Sequence, residues 1–221
     1  MNKEPLRVAI LGSTRGTSLQ PILDSLNDSK HYLSLFGNNI SIVSVLSNKS
    51  TAQILTRARM SPACNKAKVD CIGPLNGNSR DEYDARITSI LENLPDGPPD
   101  IILCIGYMRI LSSSFCTRWA LRVFNIHPSL LPKHAGLQDL AVHQSVIDAR
   151  DRESGCSVHY ITEKVDEGLV VRQTRVSVDP DYDTAEMIKA RVQATEPIVL
   201  AETLLAFQRK EIGPYAKIMG F

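Results

Sequence analysis

No two cysteines in this 221-residue chain stand at C-x-x-C spacing, and their total, five, is odd. A disulfide framework or a thiolate metal site is therefore not expected. Cys104 lies inside the apolar run "IILCIG", and Cys64, Cys71, Cys116 and Cys156 are scattered. Reduced, packed thiols of a cytoplasmic protein are the expectation. The five histidines include no H-E-x-x-H or other ligand spacing, so no metal is expected. Excess charge is lacking too: 25 Lys and Arg face 24 Asp and Glu, a net +1. Bulk electrostatics thus point to neither nucleic acid nor an anionic membrane. No apolar run approaches the length of a membrane span, and the opening "MNKEPLRVAIL" has no apolar core of a secretory leader. No repeat, low-complexity tract or linker interrupts the sequence, so one domain over residues 1–221 is expected.

What is present is alternation. Arg7 to Leu11 ("RVAIL") suits a buried strand. The loop "GSTRGTS" follows, then "LQPILDSLN", which places Leu19, Ile22, Leu23 and Leu26 on one helical face. Pro21 fits that helix's first turn, where its missing N–H does no harm. "ISIVSVL" (Ile40 to Leu46) and the weaker "AKVDCI" read as strands, with "QILTRAR" helical between them. Tyr83, Ile87, Ile90, Leu91 and Leu94 mark an amphipathic helix that "PDGPPD" ends. Ile101 to Ile105 is a fully apolar strand, Ser113 to Ala120 a short helix, and "LRVF" leads to another strand. Such alternation predicts an α/β fold with a mostly parallel sheet covered on both faces. Beyond it, Leu140 to Ala149 reads as helix and "CSVHYIT" and "LVVRQTRVSV" as strands. Thr184 to Gln208 is helical in composition, and Pro197 should kink or split it by freeing the Gln193 carbonyl.

Ligands of a parallel sheet bind beyond the carboxyl ends of its strands. Three segments fall there: Gly12 to Ser18, the residues after "IILCIG", and "FNIHPSLLPKH". Asn125 and His127 are two apart and project to the same side of a strand, while Pro128 and Pro132 stiffen the exit. The first loop joins a strand to a helix start, suited to an anion or simply to a Ser/Thr helix cap. It is neither G-x-G-x-x-G nor a P-loop, and no acid ends the second strand to hold a ribose. Asp166 in "EKVDEGLVV" is most simply a turn residue. Should it fold back beside His127, its carboxylate favours imidazolium there. No nucleophile elbow is present, so covalent catalysis is not indicated. A paired Asn and His suit a developing oxyanion and a proton transfer.

"NIHPSLLPKHAG", with "SGCSVHYITEKVDEG" downstream, resembles the folate-dependent formyltransferases. "SLQPILDS", "GYMRILS" and "ARVQATE" extend the likeness over roughly residues 6 to 208 and favour the glycinamide ribonucleotide branch. The resemblance implies a Rossmann-like formyltransferase fold and two small-molecule substrates, 10-formyltetrahydrofolate and 5-phosphoribosylglycinamide, with no nucleic acid, membrane or metal involved. It makes Asn125, His127 and Asp166 the catalytic trio, with Asp166 keeping His127 protonated. Gly16, Thr17 and Ser18 match the phosphate-holding residues, and Glu196 a carboxylate near the acceptor amine. Arg80, Met108, Arg109, Ile110, Leu111 and Asn125 match the folate side. The loop departs from the family's usual Gly-x-Gly-Ser-Asn by Thr14, Arg15 and Ser18. Pro197 stands where a histidine is common, and Leu169 where a proline is. Two other readings remain open: a hydrolase or another acceptor's transferase within the superfamily, and a nucleotide-phosphate binding module without chemistry.

Overall fold

Strand segments with no polar face are stable only when buried on both sides, and the centre of the sheet is built from them. The computed structural model describes residues 4–34, 39–74, 77 and 79–214. Its strands are β1 (Leu6–Leu11), β2 (Ile40–Ser47), β3 (Lys68–Cys71), β4 (Ile101–Cys104), β5 (Val123–His127), β6 (Glu153–Tyr160) and β7 (Val170–Ser177). They form one seven-stranded sheet in the order β3-β2-β1-β4-β5-β6-β7. The first five run parallel, whereas β6 and β7 add on antiparallel. The expected mostly parallel α/β sheet is thus the observed one.

The helices are α1 (Gln20–Asn27), α2 (Gln53–Met60), α3 (Arg80–Glu92), α4 (Ser113–Arg118), α5 (Leu140–Asp148) and α6 (Ala185–Gln208). Alternation along β1 sorts them onto two faces. Val8 and Ile10 pack with Ile22, Leu55 and Leu200 from α1, α2 and α6, while Ala9 and Leu11 pack with Tyr83, Ile87 and Phe115 from α3 and α4. Each such aliphatic side chain contributes about 1.5–3 kcal/mol through burial. Local signals agree with the elements. Ser79 and Glu82 form a reciprocal cap at the start of α3, Ser112 caps α4 and Thr184 caps α6.

Pro197 does not split α6, which runs on to Gln208. Val192, Pro197, Val199, Leu200 and Leu204 are all buried around that point. This burial outweighs the one helical hydrogen bond that proline cannot make. The change from parallel to antiparallel pairing shapes the carboxyl edge of the sheet. It lays β6 directly against β5, opposing Asn125 to His159 and His127 to Ser157.

Gly155 permits the next pairing, because a Cβ there would stand 1.9 Å from the Thr174 carbonyl oxygen on β7. Gly155→Ala is expected to lower stability by about 1–3 kcal/mol, the usual penalty of overpacking. Urea unfolding measures this, and an unchanged midpoint would contradict the close approach of β6 and β7.

Candidate active site

The segments leaving β1 and β4 diverge at the carboxyl edge of the sheet, where open α/β sheets place their ligand crevice. A cavity of about 700 Å³ opens there, lined from the first loop, the segment after β4, the end of β5 and α6. Hydrogen bonds close its floor. Ser13 N–H donates to the Gly106 carbonyl (3.0 Å), and Met108 N–H donates to Ser13 Oγ (2.9 Å). Gly106 adopts a left-handed φ of 58° and lies so close to Thr14 that a Cβ would stand 2.2 Å from its Oγ1. Gly16, at φ 63°, makes room in the same way for Ile54 of α2.

Asn125 and His127 reach the cavity from β5, and chain folding brings Asp166 to them. Asp166 takes the left-handed conformation (φ 56°), which Asp tolerates better than most residues. Its Oδ2 lies 3.3 Å from His127 Nδ1 and accepts the Gly136 N–H at 2.9 Å. Its Oδ1 lies 3.5 Å from His159 Nε2. His159 Nδ1–H donates to the Tyr160 carbonyl (2.9 Å), and its Nε2 lies 3.1 Å from Asn125 Nδ2. One carboxylate therefore joins the two histidines, and one of these touches the asparagine.

Burial lowers the His127 pKa below that of ordinary imidazole, outweighing the Asp166 carboxylate and the His134 carbonyl, which raise it. Asp166 pulls in the opposite direction to burial and recovers part of its cost. Burial acts on Asp166 in the opposite direction, raising it. His159, the Gly136 N–H and His127 together still hold its carboxyl below the usual range.

The first loop is no helix cap, since α1 begins without a side-chain hydrogen bond at its N-cap. Ser18 instead donates from Oγ to Glu196 Oε2. Gly16, Thr17, Ser18 and Glu196 all line the cavity, together with the cations Arg15, Lys49 and Lys189. Lys189 pairs with Asp139, a residue that also feels Arg15. Burial pushes the Glu196 carboxyl up to about 7, with Ser18 and Lys189 opposing. Met108, Arg109, Ile110 and Leu111 line another part of the same cavity. There the Arg109 guanidinium stacks 4.0 Å from the Tyr83 ring centre, and its Nε is buried without a partner among the described residues. Arg80 differs: it is exposed on the first turn of α3 and is not among the cavity-lining residues.

This chain matches the formyl transferase family over residues 6–204. It belongs to that family. Among its relatives, the phosphoribosylglycinamide formyltransferase of Haemophilus influenzae is 35% identical over 190 residues, which cover 86% of this chain and 81% of that protein. The Escherichia coli enzyme of the same name is 34% identical over 89% of this chain and 86% of its own length. The trifunctional purine biosynthetic protein adenosine-3 of Drosophila melanogaster is 36% identical, and the chain spans only 13% of its length. The solved phosphoribosylglycinamide formyltransferase of Coxiella burnetii, in complex with CHES, superposes with a TM-score of 0.81 at 32% identity. That superposition covers 97% of this chain and 95% of the other.

Several residues of this formyl transferase site escape sequence reasoning. No motif in the sequence gives His134 or His159 a role, yet both make hydrogen bonds at the site. Register makes His159 a neighbour of Asn125, and period-two alternation cannot supply register. Lys49 and Lys189 carry no motif. His143 is a packing residue, buried on α5, and its burial lowers its pKa to about 4.

These charges make two measurements decisive. Between pH 4.5 and about 7 the folded chain keeps a proton on Glu196 that the unfolded chain releases, so this group lowers stability as pH rises through that window. Glu196→Gln is therefore expected to be more stable than the parent by about 1–3 kcal/mol near pH 8 and about equal near pH 4. Denaturant titrations at both pH values measure it, and a variant weaker at the higher pH would contradict the burial argument. Asp166→Asn should lower the His127 midpoint further by removing the neighbouring charge. An NMR titration of His127 showing no change, or a rise, would contradict the pairing.

Proposed function

We propose that this formyl transferase moves a formyl group from 10-formyltetrahydrofolate to the amine of 5-phosphoribosylglycinamide, a step of purine biosynthesis. The observation that carries this reading is the meeting of Asn125, His127 and Asp166 in one cavity from distant stretches of chain. Similarity to the bacterial enzymes of that name across most of their length supports the choice of acceptor. Further support comes from the presence of Gly16, Thr17 and Ser18 with three cations in the cavity lining, where an acceptor phosphate would be held. Met108 to Leu111 belong to the same lining, where backbone groups can read the folate ring. The partners are small molecules, and neither nucleic acid, membrane nor metal enters the reading. All seven strands share one sheet, which supports a single-domain organisation. A cytoplasmic setting suits five free thiols. Among the described residues, no helix is long and apolar enough to cross a membrane.

The chemistry needs an acceptor for negative charge and a carrier for one proton. As the amine nitrogen bonds to the formyl carbon, the formyl oxygen becomes negative and the nitrogen becomes positive. Asn125 donates an N–H to that oxygen. Neutral His127 takes the proton from the amine and delivers it to the departing folate nitrogen when the old carbon–nitrogen bond breaks. Asp166 stabilises the imidazolium formed in between. The downward pull of burial on the His127 pKa is compatible with this role, because the proton arrives with the nucleophile.

An ultraviolet assay of folate turnover with and without phosphoribosylglycinamide tests the reading. Turnover that requires the acceptor is expected. Equal turnover without it would identify a hydrolase, and none in either case an inert binder; both outcomes overturn the proposal. His127→Ala should lower turnover by a factor of about 10² to 10⁴, the range typical of a positioned acid or base. Undiminished turnover would remove His127 from the mechanism.

A further inference from the structure

His127 has a second partner besides Asp166. Its Nε2 lies 3.2 Å from the backbone carbonyl oxygen of His134, seven residues on. A carbonyl can only accept, so Nε2 there carries the hydrogen and Nδ1 is left facing Asp166. That carbonyl is held in an unusual way. His134 adopts a left-handed φ of 59°, a conformation uncommon outside glycine that His, Asn and Asp enter more readily than other residues. Its ring is tied at both nitrogens: Nδ1 lies 2.7 Å from Ser145 Oγ on α5, and Nε2 lies 3.0 Å from Asp151 Oδ2 just beyond that helix. Asp151 is itself paired with Lys133 at 2.6 Å. The His134 side chain is mostly buried, 12% exposed, yet Ser145 and Asp151 lie outside the cavity lining.

We propose that His134 is a positioning residue: Ser145 and Asp151 clamp its side chain so that its carbonyl oxygen fixes the tautomer and orientation of His127. The proposal rests on the reading of His127 as the proton carrier. The end of α5 is thereby wired to the catalytic imidazole. A neutral imidazole has one N–H, whereas His127 faces an acceptor at each nitrogen. Only the imidazolium satisfies both, so the clamped carbonyl favours the charged form in the reaction. The groups whose charges bear on His127 are Asp166, His159 and His134 itself, with His143 on α5.

The test compares His134→Ala, His134→Gly and His134→Gln with Ser145→Ala and Asp151→Asn. Each is read by kcat and KM for both substrates, and by the NMR titration and tautomer of His127 in the free protein. His134→Ala is expected to lower kcat about tenfold, the size typical of a lost outer orienting contact, with little change in either KM. The His127 midpoint should fall, because loosening an acceptor for the imidazolium outweighs the loss of the His134 side-chain charge, which acts the other way. His134→Gly frees the left-handed backbone without restoring the clamp, so it should be impaired alike. His134→Gln, whose amide can reach Asp151, should recover part of the loss. Ser145→Ala and Asp151→Asn leave residue 134 intact and should reproduce the effect in weaker form, which keeps the idea testable if His134→Ala folds poorly. Full activity and an unmoved His127 midpoint in His134→Gly, or in both partner variants, would overturn the clamp. A shifted midpoint with unchanged kcat would uphold the clamp and overturn instead the role of His127 as proton carrier.

Discussion

The site depends on one carboxylate held between two imidazoles. Asp166 spans His127 at 3.3 Å and His159 at 3.5 Å, and the Gly136 N–H fixes its Oδ2. Three separate parts of the chain meet in that contact: the end of β5, the end of β6, and the turn between β6 and β7. Each is there for a backbone reason. β5 ends the parallel series, β6 reverses against it in a register that opposes Asn125 to His159, and Asp166 accepts a left-handed turn. Gly168 lets that turn lie close to β6, since a Cβ there would stand 1.8 Å from the Tyr160 carbonyl oxygen.

The electrostatics of this cluster set desolvation against complementarity. Burial disfavours charge on His127, whereas the acceptors at both of its nitrogens are arranged for a cation. Burial and acceptors thus pull the imidazole in opposite directions. A group so balanced can take a proton and give it up again without a large change in free energy. At the first loop, burial pushes the Glu196 carboxyl up to about 7 beside Ser18. A carboxyl in that state can donate a hydrogen bond as well as accept one.

Much of the fold is legible in the sequence because its signals are local. Apolar runs without a polar face mark the buried strands, and a helical stripe at Tyr83, Ile87 and Leu91 marks α3. The two-residue period places Asn125 and His127 on one side, as found. What sequence misses is non-local. Pro197 speaks for a broken helix, and the packing of α6 overrides it. Register against β5 decides the place of His159, and a left-handed backbone at His134 turns a carbonyl towards His127. Arg80 matches the folate side by resemblance alone; it is exposed at the start of α3 and is not among the residues lining the cavity. The acid beside His127 is visible in the sequence, whereas the burial that opposes it is not.

A double-mutant cycle on kcat/KM probes the Asp166–His127 contact most directly. Asp166→Asn is predicted to cost far less in a His127→Ala background than in the parent, because the acid acts through the imidazole. Losses that simply add would mean that the two residues work independently, and would contradict the role given to the contact.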